Sequence, residues 1–187
     1  ADLEAGIERS QRLVEQLLQV ARFEPDGELM RRERIDLGEL VRSVVTAMSV
    51  KAEHRQLDLG AAGQDGVLVD GDAGQFTVLL NNLVENALRY TPSGGVVDVE
   101  ATMLEGRPTL RVMDNGPGIA EAEREQVFTR FYRGTPTRGQ ADEAGGSGLG
   151  LAIVKAVADR HGATVTLHTP PSGQGLEVRV VFPALST

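Results

Sequence analysis

Asp72-Ala-Gly-Gln-Phe-Thr-Val-Leu-Leu-Asn-Asn82-Leu-Val-Glu-Asn86-Ala-Leu-Arg-Tyr-Thr-Pro92-Ser-Gly-Gly95 is the stretch from which the fold can be read. Phe76, Leu79, Leu80, Leu83, Val84, Ala87 and Leu88 recur at helical period, which predicts a helix over 72–90. Thr91 to Gly95 then form a turn. Asn82, Glu85, Asn86, Arg89 and Tyr90 stand three, four and seven residues apart and read as one polar face of an otherwise apolar helix. An amide oxygen is a hard, neutral ligand suited to magnesium, and Arg89 adds a charge for phosphate. The solvent face of an ordinary amphipathic helix would carry the same pattern.

Downstream of the turn, residues 96–103 and 108–113 alternate as strands. The second runs into Asp114-Asn-Gly116-Pro-Gly118-Ile119. A carboxylate at a strand end can accept a hydrogen bond from an exocyclic amine, and Gly116 and Gly118 permit close backbone approach. Asp-Asn-Gly is equally a routine turn. Phe128-Thr-Arg130-Phe-Tyr132-Arg133 follows, holding three of the seven aromatic residues of the chain. Aromatics ahead of a glycine-rich loop suggest a hinge, with Arg130 and Arg133 facing phosphate; a small apolar anchor with surface arginines is the plainer reading. Residues 134–150 contain six glycines and are expected to be a mobile loop. Gly145-Gly146-Ser147-Gly148-Leu149-Gly150 leads into a helix over 151–161. Glycines before a helix N-terminus leave N–H groups and the helix dipole free for an anion such as a triphosphate. The spacing is neither a Walker A loop nor a dinucleotide GxGxxG.

Upstream, residues 38–54 repeat as a helix, and Leu57, Leu59 and Val67–Val69 suggest short strands. Residues 163–169 and 175–182 close the chain as two strands about a Pro-Pro-Ser-Gly turn. The order is not a strict βαβ alternation. It predicts an α+β two-layer sandwich with a mixed β-sheet. At the N-terminus, residues 2–23 carry an apolar stripe including Leu3, Ile7, Val14 and Leu17, the mark of a bundle or coiled-coil helix. Residues 25–35 read as a linker and 36–187 as the main domain.

The 187 residues carry 27 acidic against 19 basic side chains, a net charge of −8. That balance opposes non-specific binding to nucleic acid or an anionic membrane. The absence of cysteine removes disulfides and thiolate chemistry. His54, His161 and His168 are too far apart for an HxxxH zinc pair. Lysine occurs only twice, at Lys51 and Lys155.

In this order the four motifs resemble bacterial sensor histidine kinases. The run through Asn82 and Asn86 to Pro92 resembles the N box, and Asp114-x-Gly116-x-Gly118 the G1 box. Phe128–Tyr132 resembles the F box and Gly146–Leu151 the G2 box. The likeness covers about residues 36–183, and residues 1–24 resemble the second helix of the dimerisation hairpin. The resemblance implies the GHKL ATP-binding fold, with a mixed sheet covered by helices on one face and ATP on the helical side. It implies that Asp114 takes the adenine amine, that Gly116, Gly118 and Ile119 shape that pocket, and that Tyr90 flanks the nucleotide. It makes Asn86 the magnesium ligand and gives Asn82 and Arg89 to magnesium and phosphate. Arg130 and Arg133 would meet phosphate from the lid, which would run from Ile119 to Gly146. Gly146, Ser147, Gly148, Leu149 and Gly150 would receive the phosphates.

In hydrolysing members of the superfamily a glutamate stands four residues before the magnesium asparagine. Here that position is Asn82, which cannot act as a base. Transfer to a histidine is thereby favoured over hydrolysis; a nucleotide-binding module or an ATPase is the alternative. The family's acceptor segment, His-Glu-x-x-Thr-Pro, is missing, and none of the three histidines replaces it. The resemblance further implies a response regulator as partner, a homodimer through the hairpin in the full-length protein, and no nucleic acid. It places this soluble piece in the cytoplasmic portion of an inner-membrane sensor.

Overall fold

The computed structural model describes residues 31–132 and 147–185. The expected helix over 2–23, most of the linker and the centre of the glycine-rich loop lie outside the described residues. Seven strands and three α-helices are present among those described. In chain order they are β1 (Glu33–Asp36), α1 (Leu37–His54), β2 (Asp58–Gly63), β3 (Leu68–Gly71), α2 (Ala73–Tyr90), β4 (Val96–Leu104), β5 (Arg107–Asp114), α3 (Gly150–Arg160), β6 (Thr164–His168) and β7 (Leu176–Val181). Short 3-10 turns fill Glu121–Glu123 and Gln126–Phe128.

Five strands form one mixed sheet in the order β2-β4-β5-β7-β6. β2 runs parallel to β4, and the other neighbours are antiparallel. Alternation sorts the two faces, because successive side chains point to opposite sides. Val97, Val99, Ala101, Leu110, Val112, Val178 and Val180 are buried, while Asp98, Glu100, Arg111, Glu177 and Arg179 take the intervening positions. The apolar face packs with Phe76, Leu79, Leu80, Leu83, Val84, Ile153 and Val157 of α2 and α3 in one core. The expected two-layer α+β sandwich is therefore present.

Glu33, Arg34 and Ile35, expected as the end of the linker, are strand and pair antiparallel with β3 in a separate two-stranded sheet. This short strand also sets the start of α1. Asp36 accepts the N–H groups of Gly38 at 2.8 Å and Glu39 at 3.3 Å, as an N-cap does. Its second oxygen accepts Gly66 N–H at 3.0 Å. Burial alone would raise this carboxyl, but the three donors outweigh it and hold it below its ordinary value. Asp36→Ala is expected to lower stability by about 1–2 kcal/mol. Urea unfolding at neutral pH measures it.

α2 is capped by Asp72, which accepts Gln75 N–H at 3.0 Å. His161, following α3, ties the two helices together. Its Nε2 accepts Asp72 N–H at 3.2 Å, and its Nδ1 lies 2.8 Å from Val157 O. A backbone N–H can only donate, so the proton sits on Nδ1 and the ring is neutral. The ring also lies 4.4 Å from that of Phe76. Burial pushes the imidazole below its ordinary value, and the Val157 carbonyl opposes this only in part. The unfolded ring takes up its proton near pH ~6.5, and the folded ring resists it. Stability is therefore expected to fall as pH drops below that point. The fall should be shallower in His161→Gln; parallel curves for the two proteins would refute the assignment.

Candidate active site

Asn82 and Asn86 meet the first turn of α3. A Cβ built on Gly150 would lie 3.1 Å from Asn86 Nδ2, 3.2 Å from Asn86 Oδ1 and 3.3 Å from Asn82 Oδ1. A Cβ there would press on both amides more tightly than an ordinary contact, so the glycine lets the helices approach without displacing the asparagines. The Asn82 amide donates to Val78 O at 2.8 Å. That bond fixes its rotamer and leaves Oδ1 toward Gly150. Among the described residues no side chain caps α3, so its first N–H groups and positive dipole end are open to an anion. Leu149, expected to line the phosphates, buries its side chain completely in the core and has only backbone to offer a ligand. Ser147 Oγ accepts Leu149 N–H at 3.3 Å and so shapes the turn.

Glu85 departs from the polar face drawn from sequence. Its carboxylate is 2.6 Å from Lys51 Nζ on α1, away from the asparagine pair. A bonded carboxylate on the α1 side is not placed to activate water at α3. Arg89 is half-buried and Tyr90 exposed at the end of α2, where Arg89 O faces Arg55 Nη2 at 3.5 Å.

The end of β5 makes the second half of the site. Asp114 Oδ1 accepts Gly116 N–H at 2.9 Å. Burial pushes the Asp114 carboxyl above the ordinary range, with the N–H groups of Gly116 and Leu176 pulling it down. A half-buried carboxylate held this way gains from an N–H donor supplied by a ligand. Gly116 is buried, and a Cβ there would meet Asp114 Oδ1 at 2.9 Å and Tyr90 O at 3.0 Å. The G1-type turn is thus pressed against the end of α2, which carries the asparagines. Gly118, at φ +73°, packs on Gly175 O, and Ile119 packs on the edge of the core.

The aromatic segment and the glycine run are joined directly. Phe131 N–H donates to Gly148 O at 2.9 Å. Phe131 has φ 64°, and its side chain remains 57% exposed. Gly148, at φ +72°, could not carry a Cβ, which would sit 2.7 Å from Phe131 C and 2.8 Å from Tyr132 O. Tyr132 OH donates to Glu123 at 3.2 Å. Arg130 is exposed beside them. Arg133 and Gly146 lie outside the described residues.

Three contributors went unread in the sequence. Gly175 packs onto the Asp114 backbone. Asn115 Oδ1 accepts Val96 N–H at 2.9 Å and closes β4 onto the G1-type turn. Arg124 donates to Ile119 O, Leu167 O and Thr169 Oγ1, pinning the segment after that turn to the end of β6. Only Gly175 left a signal, as the second glycine of Ser-Gly-Gln-Gly. Lys155 pairs with Asp159 one turn along α3 and so takes no part in the asparagine cluster.

A family profile described as histidine kinase-, DNA gyrase B- and HSP90-like ATPase matches residues 71–186. The sensor protein kinase PmrB of Pseudomonas aeruginosa is 38% identical over 178 residues, covering 95% of this chain and 36% of the relative. The sensor protein QseC of Salmonella typhi is 38% identical over 172 residues, covering 91% and 36%. The chain therefore spans little more than a third of either relative. Among solved structures, full-length ShkA in complex with AMPPNP superposes with a TM-score of 0.78 at 28% identity, over 94% of this chain and 36% of that one. The mycobacterial sensor histidine kinase MprB gives 0.68 at 29% identity, over 84% of this chain and 100% of that one. With a profile match over most of the described domain, this chain belongs to the histidine kinase-, DNA gyrase B- and HSP90-like ATPase family and is similar to the matching part of sensor histidine kinases.

Proposed function

We propose that this chain binds Mg-ATP between α2, α3 and the end of β5. Within a longer parent it passes the γ-phosphate to a histidine on a dimerisation helix, for relay to an aspartate of a response regulator. The observation that carries this reading is the convergence of the Asn82 and Asn86 amides on the uncapped N-terminus of α3. Asn86 fits a magnesium ion: its amide makes no hydrogen bond among the described residues, and an amide oxygen is a suitable hard donor. Bound magnesium would neutralise charge on the phosphate oxygens. Asp114 takes the adenine amine, and Gly116, Gly118 and Ile119 form the wall around the base. Tyr90 flanks the nucleotide, and Arg89, Arg130, Arg133 and the backbone of 146–150 take the phosphates.

Phosphoryl transfer asks the protein mainly for positioning and charge stabilisation. That matches a site of amides, arginines and backbone N–H groups. The N-terminal hairpin helix would join two such chains, and the domain would belong to the cytoplasmic part of an inner-membrane sensor. No helix among the described residues is long and apolar enough to cross a membrane.

The test supplies Mg-ATP and a separate helical hairpin carrying an acceptor histidine. Acid-labile phosphate should appear on the hairpin and not on this chain. Steady ATP hydrolysis with no phosphate on the hairpin would instead favour an ATPase, and nucleotide binding with neither would favour a simple binding module.

A further inference from the structure

The face of the sheet opposite the helices carries a charge cluster that nucleotide binding does not use. Glu177 on β7 is completely buried, at 0% exposure. Arg111 Nε on β5 reaches its Oε1 at 2.6 Å. Arg179 Nε reaches the same oxygen at 2.7 Å, and Arg179 Nη2 reaches Oε2 at 2.9 Å. Arg111 also donates to Glu100 on β4 at 2.5 Å. Arg111 and Arg179 are direct cross-strand partners, a placement that is unfavourable for like charges. Glu177 is what makes it tolerable. Buried ion clusters of this kind add little net stability over apolar packing, and their best-attested use is to fix register.

The register in question is that of the candidate adenine site. Glu177 pairs across the ladder with Met113, and the next pair, Leu176 with Asp114, is the last between β5 and β7. Gly175, Leu176 and Glu177 thus act on Asp114 in succession. Gly175 packs on its backbone, the Leu176 N–H faces its carboxylate, and Glu177 ties the strand to β5. Beyond Leu176 there is only a turn, so a ladder end without this clamp is free to fray.

We infer that Glu177 is a positioning residue for base recognition, holding the start of β7 against β5 from the far side of the sheet and thereby holding Asp114 in place. The inference rests on the reading that Asp114 takes the adenine amine.

The test compares binding of Mg-ATP with that of Mg-purine riboside 5′-triphosphate, which lacks the exocyclic amine. Wild-type protein should prefer ATP. In Glu177→Gln, which keeps the shape and removes the charge, that preference should fall about fivefold, the worth of roughly one hydrogen bond. Binding of the amine-free nucleotide should hardly change. A folded Glu177→Gln that keeps the wild-type preference, or weakens both nucleotides equally, overturns the inference and leaves a structural role. Should Glu177→Gln fail to fold, Arg111→Met is read by the same criteria, since it removes the bridge from β5 to Glu177 and leaves Arg179 to pair with the buried carboxylate. Equal binding of both nucleotides by wild-type protein would overturn the reading of Asp114, and this inference with it.

Discussion

Asn86→Ala is expected to reduce phosphate transfer to a supplied acceptor hairpin by about a thousandfold, the scale on which a preorganised stabilising group contributes to catalysis. The fold should not suffer. Asn86 is half-buried in the second half of α2, and alanine is the better helix former by up to roughly 0.7 kcal/mol. The variant should therefore melt at or above the wild-type temperature while losing transfer. Asn86→Asp sharpens the contrast. A carboxylate beside the uncapped N-terminus of α3 interacts favourably with its dipole, so the free protein should be stabilised. The same charge would repel a triphosphate. Stability rising while transfer falls cannot be ascribed to misfolding. Asn86→Ala retaining the wild-type transfer rate would remove Asn86 from the catalytic site.

The parts of this site that were legible in the sequence are those made within one element. The Asn82 and Asn86 pair is written in helical spacing, and Asp114 stands where an alternating strand meets a glycine turn. The run from 146 to 150 reads as an anion cradle because the apolar helix pattern begins at once after it. What stayed hidden is made between distant elements. β1 is four residues with three of its side chains charged, and it is a strand only because β3, more than thirty residues on, pairs with it. Glu85 shares sequence spacing with Asn86, yet Lys51 of α1 draws it to another side. Arg124 leaves no signal in the sequence, because its partners Leu167 and Thr169 at the end of β6 lie more than forty residues on. Leu149 sits inside the glycine run, but its side chain belongs to the core.

Gly175→Ala is expected to destabilise the domain by more than about 4 kcal/mol, at the exceptional end of single-residue effects, and to abolish ATP binding with it. Two penalties coincide at this position. Its φ of +99° is unfavourable for any residue with a side chain. In addition, the added Cβ would lie 1.8 Å from the Asp114 carbonyl oxygen, 2.7 Å from its carbon and 2.9 Å from Asn115 Cα. All three are backbone atoms, so no rotamer change relieves the overlap. The chain must instead part β5 from β7 at the pair that holds Asp114. Gly173 supplies the control within the same turn. It has φ +78° but nothing within 4 Å of its Cβ position, so Gly173→Ala carries the backbone penalty alone, of order 1–2 kcal/mol. Urea unfolding of the two variants separates the terms, and nucleotide titration of whichever remains folded reports on Asp114. Equal effects at the two glycines would mean that the close approach of Gly175 to Asp114 contributes nothing, and the candidate adenine site would need another support.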